Sequence, residues 1–301
     1  MAGTVQIDAL KAGLVARQAA DGGWAYYAGK ASRLEPTCWA LLALGSTGAA
    51  GDRALTFLRS LARDDGLLWD PGSPEVNFAW NGLTLLAIRA RPADDALRDR
   101  IVDALVGVKG VQLPARPGEA PVIPHDGLLQ AWPWTTETFS WVEPTACCLL
   151  ALKQAARRTP AVAARLDEAE ALLVDRVCPG GGWNYGNAAV LGQDLRAYVP
   201  TTALALLALQ DRPAEVSVST SLDWLVAHGG SEPSAMALSL SAIALTVFGR
   251  PVRPLLDGLA SMYGVTGYLE NAHLMAMALY ALTLDDHAAR HLRVAPREDV
   301  P

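Results

Sequence analysis

One short apolar pattern recurs along the chain and restricts its fold more than any other feature. The stretch LEPTCWALLAL at 34–44 returns as VEPTACCLLAL at 142–152 and as YVPTTALALLAL at 198–209. Looser copies occupy 77–88, 232–245 and 270–282. Each copy begins with proline or a polar residue and continues into alanine and leucine. Proline suits the first turn of a helix because its missing N–H would have no partner there. Six copies of one helix predict a repeat architecture.

A second kind of segment separates these copies. The intervening stretches are more polar and amphipathic, and they lie at the N-terminus and at 52–63, 95–109, 161–177, 215–227 and 251–262. A helix that is apolar on nearly every face is buried, whereas an amphipathic helix faces water on one side. Alternation of the two kinds, six times over, predicts an all-α fold. We expect a single (α/α)6 toroid over residues 1–284, with six inner and six outer helices.

The predicted toroid opens at the end where the inner helices begin, and a C-terminal tail follows its last helix. All inner helices point the same way, so their N-termini surround one end of a central cavity. The charged tail at 285–301 contains Pro296 and Pro301 and is expected to be loose. The sequence predicts no second domain.

Composition and charge argue against several classes of function. The 301 residues are 51% hydrophobic, which is ample for a core, and the formal net charge is -6. No basic cluster accompanies this acidic balance, so nucleic acid is not an expected partner. No apolar run approaches the roughly 18 residues that span a bilayer, and the N-terminus lacks the features of a signal peptide. The four cysteines show no CxxC spacing, so a reduced cytoplasmic protein is expected.

The stretch QAADGGW at 18–24, followed by EPTCWALLAL, resembles the QW-type repeat of the squalene–hopene and oxidosqualene cyclases. The same repeat architecture occurs in the β subunits of protein prenyltransferases. The resemblance extends over nearly the whole chain and implies the toroid fold. It also implies that Gln18, Trp24 and Trp183 tie neighbouring helices together, and that the central cavity takes an isoprenoid or similarly apolar substrate.

The catalytic motifs of that family are incomplete in this chain. The DxDD motif of the hopene cyclases falls on 141–144, where Glu143 is the one carboxylate, and the DCTAE motif is missing. His273 corresponds to the zinc histidine of the prenyltransferases, but the stretch AYVPTTALAL offers neither the aspartate nor the cysteine of that site. The stretch DDALRD at 94–99 has the wrong spacing for a Mg²⁺-binding DDxxD motif, and it opens an outer helix, where acidic residues suit the dipole. No metal and no cofactor are expected.

Glu143 and its counterpart Glu35 stand at the same position of two repeats. If the chain is a proton-initiated cyclase, Glu143 is the first candidate for the acid. Asp126 is the second, with His125 as its acid–base or orienting partner. The competing interpretations are structural. A glutamate at a helix N-terminus is kept ionised by the dipole, whereas a general acid needs a raised pKa, and the His125–Asp126 pair also suits a solvated turn.

The long connection at 110–142 is the other candidate part of the site, because a loop of this length in a compact domain is usually functional or disordered. Its aromatic residues either line a chamber for an apolar ligand and stabilise positive charge through their ring faces, or plug the mouth of the toroid. They are Trp132, Trp134, Phe139 and Trp141. The residues expected to complete the mouth as substrate-binding groups are Glu35, Trp39, Tyr185 and His273.

Two classes of function therefore stay open. The first is a terpenoid cyclase-like protein that binds an apolar substrate and cyclises it by acid-initiated carbocation chemistry. The second is a non-catalytic toroid that binds a lipid, peptide or protein partner, which the incomplete motifs favour. The Trp132–Trp134 loop would also suit peripheral contact with a membrane.

Overall fold

The computed structural model describes residues 2–89, 92–114, 122–155, 159–284 and 292–295. Twelve α-helices lie within these ranges. In chain order they are α1 (Ala2–Ala16), α2 (Leu34–Leu44), α3 (Gly48–Ser60), α4 (Phe78–Ile88), α5 (Asp95–Gly107), α6 (Val142–Gln154), α7 (Pro160–Asp175), α8 (Val199–Ala208), α9 (Val216–His228), α10 (Ala235–Val247), α11 (Arg253–Thr266) and α12 (Ala272–Leu282). Short 3-10 helices at Pro92–Asp94 and Gly267–Glu270 precede α5 and α12. One antiparallel hairpin pairs β1 (Ala189–Val190) with β2 (Gln193–Asp194).

The even-numbered helices form a closed inner ring. α2 packs against α4, α4 against α6, and the contacts continue through α8 and α10 to α12, which returns to α2. The odd-numbered helices lie outside this ring. α3, α5, α7, α9 and α11 each pack on the inner helix that precedes them in the chain, and α1 packs on α12. The predicted (α/α)6 toroid is confirmed.

Burial of the two rings follows their hydrophobic patterns. In the inner helix α4 every residue except Trp80 is buried, as expected for a helix that contacts neighbours on all sides. In the outer helix α11 the buried residues are Leu255 and Leu259, which lie one turn apart on a single face. No helix in the described ranges is both long and apolar enough to cross a membrane.

Three tryptophans join the two rings in the same way. Each indole N–H donates to a main-chain carbonyl near the end of the preceding outer helix; the pairs are Trp24 with Leu14 (2.8 Å), Trp132 with Leu105 (2.9 Å) and Trp183 with Leu173 (2.7 Å). Each tryptophan's main-chain N–H donates to a threonine hydroxyl of the following inner helix, on Thr37, Thr145 and Thr202 respectively. All three indoles are fully buried. We call this arrangement the tryptophan brace.

The tryptophan brace corrects one site prediction. The sequence predicts Trp132 in the wall of the chamber, but its ring lies between α5 and α6, with the Arg165 guanidinium 4.2 Å from the ring centre. Trp132 is therefore a structural residue that repeats the role of Trp24. Gln18 also makes structural contacts, because its amide donates to the carbonyls of Gly22 and Ala50, both at 2.8 Å.

Trp183→Phe is expected to destabilise the protein by about 1–3 kcal/mol. The smaller ring loses a buried hydrogen bond and leaves a small cavity. For a domain of this size that loss corresponds to a fall in melting temperature of roughly 2–6 °C, measurable by circular dichroism. The control is Trp69→Phe, since Trp69 is more than a third exposed and its replacement is expected to cost about 0.5 kcal/mol or less. Equal shifts in the two variants would contradict the brace.

A buried ion cluster joins α6, α7 and the end of α8. The Lys153 ammonium lies 2.7 Å from a Glu170 carboxylate oxygen and also pairs with the Asp211 carboxylate. It donates a further hydrogen bond to the Ala208 carbonyl at 2.8 Å. All three charged side chains are at most 3% exposed, and Arg212 reaches Glu170 at 3.3 Å. Paired in this way, the charges satisfy one another inside the protein.

Part of the tail is packed rather than loose. Of the predicted tail at 285–301 the structure describes 292–295, and Leu292 there is 2% exposed. This segment lies at the end of the toroid opposite to the N-termini of the inner helices, because Gln210, just after the end of α8, donates a hydrogen bond to the Leu292 carbonyl.

Candidate functional site

A cavity of about 230 Å³ lies inside the inner ring. Three levels of side chains line it, and each level repeats one helix position. The first level is the second residue of five inner helices: Glu35, Glu143, Pro200, Met236 and His273. The second level lies four residues further along: Trp39, Leu83, Cys147, Leu204, Leu240 and Met277. The third level, three residues beyond, is Leu86, Leu150 and Leu207. This spacing keeps each helix's residues on one face.

The cavity has a polar end and an apolar end. Its carboxyl groups and its histidine, on Glu35, Glu143 and His273, all belong to the first level, at the N-termini of the inner helices. The third level consists of leucines alone. Further wall residues come from the inner helices, the loops and the tail: Trp80, Trp134, Ala146, Tyr185 and Leu292. A ligand in this cavity meets polar groups at the mouth and hydrocarbon below it.

The hydrogen bonds of the two glutamates come from residues outside their own helices, from Tyr26 for Glu35 and from Thr201 for Glu143. Trp141, the N-cap residue of α6, makes no side-chain capping hydrogen bond. At α2 the cap comes from Asp70, whose carboxylate accepts the Leu34 N–H at 2.8 Å and also pairs with Arg33. Both glutamates line the cavity instead.

Glu35 belongs to a small polar cluster at the mouth. The Tyr26 hydroxyl donates to the Glu35 carboxylate, and His273 Nε2 lies 3.4 Å from Glu35 Oε1. The Tyr26 and His273 rings meet edge to face, with their centres 5.7 Å apart. Among the described residues, His273 Nε2 has no hydrogen-bond partner of good geometry, although it is buried. Burial lowers the pKa of His273 and the charge of Glu35 opposes that shift, so the imidazole is neutral at pH 7.

Glu143 is held on the other side of the mouth. Its Oε1 accepts a hydrogen bond from the Thr201 hydroxyl at 2.9 Å. Burial raises the pKa of Glu143, the Thr201 hydrogen bond opposes the shift, and the charge of Glu35 adds to it. The carboxyl group therefore keeps its proton to a higher pH than an exposed glutamate does.

Cys147 lies one turn along α6 from Glu143 and also lines the cavity. Burial raises the pKa of its thiol well above the ordinary value, and the charges of Glu143 and Glu35 raise it further. A cysteine nucleophile has to be a thiolate, so Cys147 is suited to be a wall residue and not a nucleophile.

Tryptophan forms a large part of the upper wall. Trp80 and Trp134 meet edge to face, with ring centres 5.4 Å apart. Trp134 is on the long connection, and its carbonyl accepts the N–H of Phe78 at the start of α4, at 3.1 Å. Trp39 and Tyr185 complete the aromatic part of the wall. Of the four aromatic residues predicted in the connection, Trp134 is the one that lines the cavity.

The other predicted residues of the connection lie elsewhere. Phe139 and Trp141, with ring centres 5.3 Å apart, line a separate groove of about 170 Å³ together with His125. Asp126 is exposed, and its side chain accepts the Leu128 N–H at 2.8 Å within a turn. Burial lowers the pKa of His125 to about 4, so it is neutral at pH 7. The prediction that His125 and Asp126 serve the chamber is wrong.

Backbone pairing within the connection explains this separation. Gly110 donates to the Ala131 carbonyl at 3.0 Å, and Leu113 donates to the Gly127 carbonyl at 2.8 Å. These bonds fold the connection back on itself, and the turn that carries Asp126 lies against the end of the outer helix α7. The Asp126 main-chain N–H faces the Asp175 carboxylate at the end of α7.

Several residues of the site are missed by the sequence analysis, among them Pro200, Met236, Trp80 and Tyr26. Pro200 and Met236 occupy the same helix position as Glu143, so aligning the six copies would have found them. Trp80 stands in the degenerate copy, one residue after the equivalent position. Tyr26 is in a loop, and no periodic signal marks it.

A metal site is not formed by the described residues, which contain no group of three or more histidine, cysteine, aspartate or glutamate side chains able to hold an ion. His273 has Glu35 as its acidic neighbour, and the Cys147 thiol in the cavity wall stays protonated because burial raises its pKa.

No family model and no curated protein sequence matches the chain. Solved structures match it over almost its whole length. A glycosidase variant superposes with a TM-score of 0.62 at 12% identity, and a glycosidase variant in complex with glucose with a TM-score of 0.57 at 13%; both cover 98% of this chain and 98% of that chain. A protein from Actinoplanes has a TM-score of 0.59 at 15% identity, covering 96% and 99%. A type II terpene cyclase from Scytonema has a TM-score of 0.49 at 16% identity, covering 75% and 64%.

At these identities the likeness shows the fold alone. The chain shares the α/α toroid with the glycosidase and the Actinoplanes protein, and the terpene cyclase is too distant in structure to support an argument about function. Toroids of one architecture carry different chemistries, so function has to be argued from the cavity. Membership of the QW-type repeat family stays a prediction.

Proposed function

We propose that the chain takes an apolar ligand of isoprenoid type into the central cavity and acts on it by acid–base chemistry, with Glu143 as the acid. One observation carries this proposal. A partly buried carboxyl group with a raised pKa stands at the polar end of a chamber whose other walls are mainly leucine, methionine and tryptophan. Such a group keeps its proton to a higher pH than an exposed glutamate does, so it is available as a general acid.

The wall supports an apolar ligand. Below the first level it consists of aliphatic and aromatic side chains and the Cys147 thiol. Burial of hydrocarbon against such a surface is favourable by about 25 cal/mol per Å². The indoles of Trp39, Trp80 and Trp134 also present aromatic rings, whose faces attract a cation within about 6 Å. The chamber therefore suits a hydrocarbon that carries positive charge during the reaction.

In the proposed reaction Glu143 protonates an alkene. The alkene π pair forms the new C–H bond as the O–H bond of Glu143 breaks, and a cation is left on the neighbouring carbon. A second alkene of the same chain can close a ring onto that cation. The reaction ends when a C–H beside the final cation loses its proton to the Glu35 carboxylate, which the Tyr26 hydroxyl holds in place. Substrate and product are isomers, and the two glutamates are restored when solvent at the mouth takes the proton from Glu35 and gives one back to Glu143.

Linear polyprenes, incubated with the protein and extracted for gas chromatography with mass detection, test this proposal. We expect an isomeric product from wild type. Glu35→Gln is expected to slow its formation or to change which alkene forms last, because the proton acceptor is lost. Glu137→Gln serves as the control, since Glu137 is an exposed carboxylate on the connection outside the cavity. Binding without any product would instead support the non-catalytic toroid.

A second candidate function is glycoside hydrolysis. The observation in its favour is the pair of carboxylates, Glu35 and Glu143, in one cavity, because glycosidases use one carboxylic acid and one carboxylate across the scissile bond. The scarcity of hydrogen-bonding groups below the mouth is less suited to a sugar. Since one solved structure of this fold is a glycosidase with bound glucose, 4-nitrophenyl glucosides belong in the same panel. Release of nitrophenol that Glu143→Gln abolishes would favour this second function.

A further inference from the structure

The far end of the chamber is closed by a residue from outside the inner ring. Leu292 lines the cavity together with the third-level residues Leu86, Leu150 and Leu207. These three leucines come from the neighbouring helices α4, α6 and α8. Leu292 is 2% exposed, so it is inserted into the end of the toroid and does not rest on its surface.

The Gln210 side chain makes two hydrogen bonds with this segment. The Gln210 amide donates to the Leu292 carbonyl at 2.7 Å, and its oxygen accepts the Val294 N–H at 3.0 Å. The same amide nitrogen also donates to the Leu207 carbonyl at 2.7 Å, at the end of α8. Gln210 therefore ties residues 292–295 to the rim of the inner ring. Val294 adds a half-buried apolar contact with the core.

The position of Leu292 limits the depth of the chamber. Glu143 stands at the first level, and Leu150 stands seven residues further along α6. At about 1.5 Å of rise per residue, these levels are roughly 10 Å apart. A ligand whose polar or reactive end lies at Glu143 extends along this axis until it meets the third level and Leu292. Bulk at position 292 then decides how long a chain fits.

We propose that Leu292 is the floor of the chamber and determines the length of the apolar ligand that the chamber accepts. This inference rests on the proposed function only in requiring that an apolar chain enters the cavity. It does not require Glu143 to be an acid. The tail thereby supplies a specificity determinant that the repeats themselves do not contain.

A homologous series of n-alkan-1-ols, from hexanol to tetradecanol, tests the floor by isothermal titration calorimetry. In wild type each added methylene is expected to tighten binding about four-fold, up to the alcohol that reaches Leu292, with no gain beyond it. Leu292→Ala is expected to bind the next longer alcohol about four-fold more tightly than wild type does. Leu292→Phe is expected to move the limit to shorter alcohols. Gln210→Leu removes the hydrogen bonds that hold residues 292–295 and is therefore expected to move the limit to longer alcohols, as Leu292→Ala does.

The control is Leu269→Ala, because Leu269 is 70% exposed and lies outside the cavity. In this variant the alcohol length beyond which binding no longer tightens is expected to be the same as in wild type. Circular dichroism establishes that each variant is folded, and the opposite shifts of the alanine and phenylalanine variants cannot both come from partial unfolding. If wild type binds the series but both Leu292 variants have the same limiting alcohol length as wild type, Leu292 does not set the length of the ligand, and the proposed function stands. If wild type binds no alcohol, the chamber is not an apolar ligand site and both proposals fail.

Discussion

Glu143→Gln is expected to lower the rate of product formation by about 10²–10⁴-fold, the usual contribution of a general acid, while the affinity for the apolar ligand changes little. Glutamine has nearly the shape of glutamic acid and can still accept the Thr201 hydrogen bond. It cannot release a proton. The measurement is single-turnover kinetics with saturating ligand, so that binding and chemistry are separated.

The pH dependence of the wild-type rate follows from the same group. Burial raises the pKa of Glu143, and the acid is active while protonated. The rate is therefore expected to fall as pH rises through that pKa. The Glu143→Gln variant should show no such step. A rate that is independent of this substitution, at any pH, would remove Glu143 from the mechanism.

The raised pKa of Glu143 also has a consequence for stability. Because the folded state holds the proton more tightly than the unfolded chain, the stabilising contribution is complete below the unfolded pKa and is lost as pH rises through the folded pKa. Glu143→Gln removes this dependence. The melting temperature of the variant relative to wild type is therefore expected to increase from pH 4 to pH 8.

Lys153→Met is expected to destabilise the protein by about 3–5 kcal/mol, the usual cost of breaking a buried ion pair by removing one partner. The substitution takes the cation from between Glu170 and Asp211, both nearly completely buried. It also removes the donor to the Ala208 carbonyl. Urea denaturation at pH 7, with the slope compared between proteins, measures the change in the free energy of unfolding.

The matched control for Lys153 is Lys109→Met. The Lys109 ammonium lies 2.8 Å from the Glu168 carboxylate, and both side chains are more than a third exposed. Solvent screens such a pair, which contributes about 0–1 kcal/mol. A loss of stability at Lys153 no larger than that at Lys109 would show that the buried cluster is not a structural requirement.

The fold could be predicted from the sequence because its strongest signal is a repeat. The copies at 34–44, 142–152 and 198–209 are each buried on all sides, and the amphipathic segments between them need an outer position. Two alternating helix types in six copies leave few arrangements other than the toroid. Even the tryptophan brace has a signal, since Trp132 precedes Thr145 by the same interval as Trp24 precedes Thr37.

The candidate site could be predicted in part, for the same reason. Glu35, Glu143 and His273 hold equivalent positions at the starts of inner helices, so their place at one mouth follows from the repeat. The fold of the long connection could not be predicted, because it depends on backbone hydrogen bonds such as Gly110 to Ala131 that no side-chain pattern encodes. Leu292 was beyond prediction because its contact with the chamber comes from the tail and not from a repeat.

Native mass spectrometry of the protein purified from its own host, followed by organic extraction, tests the central claim most directly. If the toroid is a chamber for an apolar ligand, wild type carries one isoprenoid-like molecule per chain. Leu204→Trp, which fills the cavity from α8, is then expected to lose that molecule while staying folded. A wild-type protein that is empty, and whose melting temperature does not change across a panel of isoprenoids, would contradict the account.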